Sequence, residues 1–372
     1  MIVLYIWIMT VLFIGVGLLI FCKKIYFQTS TMAAVMAFGI FTEGVLLNHF
    51  GTRFFHSNVG KILSICNLSF WFACISSFFI ALFHGKFKKL HYTNQINRFG
   101  IGTWVASTSI CGIIMYNQFT EWRMVSEIIS FLNIILWSIY IGFCLKTIIE
   151  IRRSKLYGKV HGIILLTTVS TQSIVLLMNT VFKDLPVGVS LPFLLIGLSF
   201  YGISAFLLFY RYGTTSWSIE ADWNNTNCIV HGALSISGIA CLVSGIVPFG
   251  MIRLIWWLAA IMFLAVESME IYRIIRRIQL FGVKKGLFVY NVTQWSRIFT
   301  FAMFYTFTSF FHPQFLIIQN VKNAVLTEGV WIIILLLTIE LILSAGYILK
   351  LFKKSSIDLS SDQNIGKVSG TM

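Results

Sequence analysis

The sequence predicts an all-α integral membrane protein. Hydrophobic residues make up 58% of its 372 positions and charged residues only 11%, and the mean hydropathy is +0.85. A soluble globular domain carries about 25% charged residues, so this chain has too little charge to cover a surface in water. Two further observations support the prediction: long apolar runs, and basic residues that concentrate in alternate loops.

Eleven apolar runs are long enough to cross a hydrocarbon core about 30 Å thick. They lie at 2–22, 32–49, 61–84, 99–116, 125–148, 160–182, 189–210, 227–248, 252–272, 292–311 and 329–349. The connections are short, so we predict one helical membrane domain. It consists of an extra N-terminal transmembrane anchor at 1–22 and a ten-helix domain at 23–350, followed by a tail at 351–372 whose polar composition predicts disorder.

The basic residues alternate from loop to loop. Of the 28 lysines and arginines, 21 lie in odd-numbered loops or the tail and 6 in even-numbered loops, while Arg297 lies inside an apolar run. This is the positive-inside pattern, so the net charge of +15 indicates membrane orientation and not a nucleic-acid partner. It predicts a multi-pass protein of the cell membrane with its N-terminus outside and its C-terminus in the cytoplasm.

The first apolar run could be a secretory signal or an uncleaved anchor. No basic residue precedes it, it is long for a signal, and no small-x-small cleavage pattern follows. The sequence therefore favours an anchor, held at its end by Lys23 and Lys24.

Motifs for enzymatic chemistry or metal binding are absent from the sequence. The seven cysteines form no CxxC pair, and no two of the seven histidines stand three or four residues apart on one helix face. The chain has no GxxxxGK[ST] phosphate loop, no GxSxG elbow and no HExxH. We therefore predict that the protein is not an enzyme and has neither a metal site nor a cofactor.

After the anchor, spans rich in small residues alternate with bulky ones. Small spans include FGIGTWVASTSICGI at 99–113, ILLTTVSTQSIV at 164–175 and GALSISGIACLVSG at 232–245, and bulky spans lie at 128–143, 191–209 and 330–343. Bulky surfaces suit lipid, whereas small and hydroxyl residues suit close helix contact or a wet cavity. Five such repeats predict five helical hairpins around a central pore. The alternative is that the small residues only permit tight packing.

Several of these segments resemble the tellurite-resistance and dicarboxylate transporter (TDT) family, which includes fungal malate transporters and plant slow-type anion channels. NCIVHGALSISGIA at 227–240 is similar to the family's Tyr-Trp-Ile-x-Met-Gly-Ala-x-Ala-Ile-x-x-x-Ala segment. NVTQWSRIFTFAMFYTFTSFFH at 291–312 matches its Trp-Ser-x-x-Phe-Pro-x-Gly-Met-Tyr segment at Trp295, Ser296, Phe299 and Met303. The segments at 99–108 and 168–177 are also similar to inner helices of the family, and MAFGI at 36–40 is a weaker match. The resemblance extends from residue 31 to about 350.

The resemblance implies a ten-helix fold of five hairpins around a pore, a possible homotrimer, and conduction of small inorganic or organic anions across the lipid bilayer. It also implies that Phe299 projects into the pore and closes it. A helix turns 100° per residue, so the pore face of that helix would include Ser296, Ala302, Met303 and Thr306. Further predicted pore-lining residues on the other small spans are Thr103, Ser107, Ser170, Thr171, Gly232 and Ser235.

Arg297 stands about 200° from Phe299 on the same helix, so it faces away from a pore that Phe299 faces. Its own face runs through Phe301, Phe304 and Thr308. We expect Arg297 to snorkel toward the headgroups or to pair with a carboxylate. The alternative is an anion contact near the inner mouth.

The chain departs from the family pattern at several positions. Thr300 and Ala302 replace a proline and a glycine, which puts a kink after Phe299 in doubt, although a threonine bonded to the i−4 carbonyl can also bend a helix. His231 replaces a methionine and could sense pH or simply pack. Glu43 is acidic where an anion pore would prefer no acid, and Glu340 is expected to pair with a neighbour.

Three functions stay open at this point. The first is a passive anion channel or uniporter in which hydroxyl groups replace ion hydration. The second is a proton-coupled carrier of dicarboxylate, sulfite or a similar oxyanion that uses Glu43 or His231, or a tellurite-resistance protein. The third is a membrane accessory protein that transports nothing.

Overall fold

The computed structural model describes residues 2–182, 185–312 and 316–368. Within these ranges all regular secondary structure is helical, and nine helices are long and apolar enough to cross a membrane. The chain is therefore an all-α, multi-pass membrane protein.

The α-helices follow one another with short connections. They are α1 (Ile2–Lys23), α2 (Met32–Ile40), α3 (Leu47–Phe55), α4 (Asn58–Phe83), α5 (Gly102–Gln118), α6 (Arg123–Arg153), α7 (Leu166–Val181), α8 (Val187–Thr214), α9 (Ile229–Ser244), α10 (Phe249–Gly286), α11 (Trp295–Phe310) and α12 (Leu316–Val368). A π-helical segment, Phe41–Leu46, joins α2 to α3, so that these three elements form one span.

One of the eleven predicted spans is shorter in the described structure than a full crossing. Helix α11 has 16 residues and is therefore about 24 Å long, less than the hydrocarbon thickness. A 3-10 turn, Val292–Gln294, directly precedes α11.

The polar segment after Lys350, for which composition predicts disorder, continues as α12 to Val368. Residues 351–365 contain no proline and no glycine that would end a helix. The last four residues of the predicted tail lie outside the described ranges.

Burial divides the spans into two sets. In α5, α7 and α9, 83%, 89% and 89% of the most apolar stretch is buried, whereas in α6, α8, α10 and α12 the share is 17–33%. Large apolar side chains cover the second set; on α6, for example, Phe131, Leu132 and Ile135 are 58–60% exposed. Such side chains are stable in lipid and not in water, so these helices form the lipid-facing surface.

The buried spans contact one another in a closed order. Helix α2 packs on α5, α5 on α7, α7 on α9, α9 on α11, and α11 returns to α2. We call these five the inner helices. Each of the outer helices α4, α6, α8 and α10 lies against two successive inner helices, and α12 lies against α11 and the π-helical segment. Helix α1 packs along α4, which explains why α4 is more buried than the other outer helices.

Two glycines of α9 allow α11 to approach closely. A Cβ atom at Gly232 would lie 2.3 Å from Cγ2 of Thr300, and one at Gly238 would lie 2.1 Å from the ring of Phe307. Neither position has room for a side chain. At these two positions the small residue serves helix packing, which is the alternative that the sequence left open.

One polar contact recurs between outer and inner helices. A tryptophan of an outer helix donates its indole N–H to a threonine hydroxyl of an inner helix. The pairs are Trp71 with Thr108 at 3.1 Å, Trp137 with Thr171 at 3.0 Å and Trp256 with Thr308 at 3.1 Å. In each case the partner is the next inner helix along the chain, so the same junction is built three times in the bundle.

Candidate functional site

A small cavity lies among the inner helices. Its volume is about 20 Å³, which is room for roughly one water molecule. Every inner helix contributes to its wall. The lining residues are Met36 and Ile40 of α2, Ala106, Ser109, Ile110 and Ile113 of α5, Ser173 and Leu176 of α7, Ile236 of α9, and Phe299 and Met303 of α11.

The wall of this central cavity is almost entirely apolar. Phe299 is 1% exposed, and Met303 lies one turn further along α11. The two hydroxyls in the wall, on Ser109 and Ser173, are hydrogen-bonded to each other at 3.0 Å, and Asn133 donates to Ser109 at 2.9 Å. Because these hydroxyls already have partners, the cavity offers little to an ion that has lost its water.

Of the predicted pore residues, Phe299 and Met303 line the central cavity. The hydroxyls predicted on the other inner helices bond to backbone carbonyls. Thr103 donates to Gly100, Ser107 to Met32, Ser170 to Thr167, and Ser235 to His231, at 2.6–3.0 Å. The Thr171 hydroxyl also accepts from Trp137 of α6, which places it on the side of α7 that faces an outer helix.

The remaining predicted residues lie elsewhere in the bundle. Ser296 and Ala302 are buried on α11, and Thr306 donates to the carbonyl of Ala302 at 2.7 Å. Thr306 contacts the π-helical segment, because a Cβ atom at Gly44 would lie 2.2 Å from its hydroxyl oxygen. Gly232 faces Thr300, as described above.

Sequence analysis did not identify Ser109, Ser173 or Ile236 as cavity residues, although each lies in a small-residue span. Composition thus indicated the spans that contribute these residues to the cavity. It does not reveal how each helix is rotated about its own axis when all faces of the helix are buried.

The face of α11 opposite to Phe299 packs on α10. Arg297 places Nη2 3.1 Å from Glu270 Oε2 and Nε 3.7 Å from Glu267 Oε2. The rings of Phe301 and Phe304 pack on Phe263 of α10, with centroids 4.8 and 5.0 Å apart. Arg297 is thus paired with carboxylates and faces away from Phe299. Of the alternatives that the sequence left open, this is the structural one.

Glu270 connects several polar groups at this end of the bundle. Besides Arg297, it accepts from Arg273 at 3.0 Å and from the indole of Trp223 at 3.0 Å. Arg273 also donates to the Asn225 side chain. Sequence analysis overlooked Glu267 and Glu270; the available signal was two acids three residues apart in a span that must pair with a membrane arginine.

His231 lies between α9 and α10, outside the central cavity. It is fully buried, its Nε2 atom lies 3.7 Å from Glu267 Oε1, and its ring packs on Phe263. Neither ring nitrogen has a hydrogen-bond partner in the described part of the chain. A titratable ring therefore stands next to a carboxylate without being bonded to it.

Glu43 lies in the π-helical segment, a type of helix that is frequent at functional sites. It is buried, and its Oε2 atom accepts from Asn117 of α5 at 3.2 Å. Its Oε1 atom has no partner among the described residues, and the same holds for Oε1 of Glu340. The partner that we expected for Glu340 is therefore not found in the described ranges.

Helix α11 continues without interruption past Thr300. The Thr300 hydroxyl donates to the carbonyl of Arg297, three residues back, at 3.0 Å. It does not make the i−4 bond that the sequence raised as a possible cause of bending. Phe299 reaches the central cavity from a single α-helix, Trp295–Phe310.

No protein-family model matches the chain, and a search of curated proteins finds no match. Among the described residues, no group of three or more histidine, cysteine, aspartate or glutamate side chains is placed to hold a metal ion.

Proposed function

We propose that the protein transports small anions across the cell membrane along the axis of the inner helices, and that it belongs to the TDT family. The observation that carries this proposal is the central cavity, to which all five inner helices contribute. Five hairpins around a pore would place five spans at the centre. The closed order of helix contacts and the repeated tryptophan–threonine junction support that arrangement.

In this proposal Phe299 and Met303 close the path. An anion that enters an apolar constriction must lose its hydration, and it gains no hydrogen bonds in return. A passage of about 20 Å³ admits no hydrated ion. Transport thus requires the two side chains to move aside, and the protein would be closed at rest.

An anion-replacement series in proteoliposomes tests the proposal. We expect flux of chloride, nitrate, sulfite and malate at different rates, well above that of empty liposomes. Current that follows the electrochemical gradient without saturation indicates a channel, whereas saturation indicates a uniporter. Absence of flux for every anion, with folded and inserted protein, would instead support the non-transporting accessory role.

A second candidate is a proton-coupled carrier of dicarboxylates or oxyanions. The unpartnered Oε1 atom of Glu43 favours it, since a buried carboxyl without a cationic neighbour is suited to gaining and losing a proton. His231, which lies next to Glu267 without a hydrogen bond to it, is a second titratable group in the bundle. Anion uptake driven by an imposed pH gradient, and lost in Glu43→Gln, would identify this mechanism.

The proposed orientation can be measured at the two ends of α6. We expect cysteine at Glu121 to react with an impermeant thiol reagent in intact cells, because the loop before α6 is predicted to lie outside. Cysteine at Ser154, just after α6, should react only once the membrane is opened. Both positions are exposed, and the native cysteines are replaced first. Labelling of residue 154 in intact cells would show that the orientation is the opposite of the one proposed.

The resemblance to the TDT family further implies a homotrimer.

A further inference from the structure

A second, larger cavity lies where α10, α11 and α12 meet the connection between α10 and α11. Its volume is about 360 Å³. We call it the basic-end cavity, because Lys284 and Lys285 lie at the same end of α10. Its polar side carries Arg273 and Arg297, and Glu340 enters it from α12.

Three buried polar atoms of these residues have no hydrogen-bond partner in the described ranges. They are the Nε atom of Arg273, the Nε atom of Arg297 and the Oε1 atom of Glu340. Two of them are N–H donors and the third is a carboxyl oxygen. Buried polar atoms are almost always hydrogen-bonded, and exceptions call for an explanation. The Nε atom of Arg297 faces Glu267 Oε2 at 3.7 Å, so a ligand with an oxyanion acceptor and a cationic donor would satisfy the other two.

The charges around the cavity favour a ligand without net charge. Three arginines and three glutamates belong to its wall or to the ion pairs behind it: Arg273, Arg277 and Arg297 with Glu267, Glu270 and Glu340. A bound anion would give this group of three positive and three negative side chains an excess of negative charge. A zwitterion would preserve it, with its negative group on the arginine side and its positive group against Glu340.

The other side of the cavity is apolar and open to the surface that faces lipid. Leu336 and Leu343 of α12 line it, together with Phe288 and Val289 of the connection. Phe288 and Val289 are exposed, as is Ile339 next to Glu340. A ligand that enters here from the bilayer would place an apolar chain against these side chains and a polar head among the charges.

We propose that the basic-end cavity binds the headgroup of a phospholipid that carries both a phosphate and a primary ammonium, as phosphatidylethanolamine does. The phosphate accepts from the Nε atom of Arg273, on the arginine side of the cavity, and the ammonium donates to Glu340. A choline headgroup has no N–H to donate, and a glycerol headgroup has no positive charge. The site therefore discriminates between lipids that share the same chains.

The test measures lipid binding to delipidated protein by native mass spectrometry, with ethanolamine, choline and glycerol phospholipids of identical acyl chains. We expect the ethanolamine lipid to bind about tenfold more tightly than the choline lipid, the effect of one hydrogen bond between charged groups. Glu340→Gln keeps the shape and removes the charge, so it should abolish this preference. Glu328→Gln, an exposed carboxylate on the same helix, should leave it unchanged.

Leu343→Phe provides an independent variant, since it fills the apolar side of the cavity. We expect it to weaken binding of all three lipids while the protein stays folded. Equal binding of the three lipids to the unaltered protein, or tightest binding of the glycerol lipid, would overturn the proposal. So would displacement of the ethanolamine lipid by glycerophosphoethanolamine at equal concentration, because the site would then recognise a soluble molecule.

Discussion

Replacing Phe299 by alanine is expected to raise anion flux in proteoliposomes by about tenfold or more. The benzyl side chain forms part of the wall of the central cavity, and its loss enlarges that cavity. A barrier lowered by only about 1.4 kcal/mol gives a tenfold faster rate. Flux is measured per folded protein, because removal of a buried phenylalanine side chain can cost about 3–5 kcal/mol of stability.

Phe301→Ala is the matched control for this change. Phe301 lies two residues along the same helix and packs on Phe263 of α10, on the side opposite the central cavity. It should lose stability without a gain in flux. If Phe301→Ala opened the path, or if folded Phe299→Ala conducted no more than the unaltered protein, the proposed gate would be wrong.

Met303 offers a further check because it lines the same cavity one turn away. The double variant Phe299→Ala/Met303→Ala should conduct more than Phe299→Ala alone. Equal flux in the single and double variants would show that Met303 does not contribute to the constriction.

Arg297→Gln is expected to destabilise the protein by about 3 kcal/mol or more. Removal of one partner from a buried ion pair leaves the other charge without compensation, which costs about 3–5 kcal/mol. Here two carboxylates, Glu267 and Glu270, lose their shared guanidinium, and both side chains are largely buried. The thermal midpoint in detergent, at one scan rate, should fall by several degrees.

Kinetics separate this structural role from an anion contact. Because Arg297 faces α10, the folded fraction of Arg297→Gln should show an unchanged KM for the transported anion. The exposed Arg53→Gln serves as a control for loss of one positive charge. An unchanged thermal midpoint together with a raised KM would assign Arg297 to anion binding after all.

The sequence alone determined the class of protein and the division of its spans. Length and apolarity are local properties, so the runs could be found without knowledge of the fold. In the described part of the chain, nine helices are long and apolar enough to span a membrane. Composition also separated buried from lipid-facing spans, because lipid favours bulky apolar side chains and close helix contact favours small ones. Even the opposite facing of Arg297 and Phe299 followed from the 100° spacing of a helix.

Only the tertiary structure decided which side chains meet. The hydroxyls of Ser109 and Ser173 come from different helices, and so do Arg297 and its partners Glu267 and Glu270. When a span is buried on all sides, its composition does not set its rotation or its depth. These depend on the fit of neighbouring helices, as at Gly232 against Thr300. For this reason most predicted hydroxyls bond to backbone carbonyls, while Ser109 and Ser173, which no pattern singled out, line the central cavity together with Phe299 and Met303.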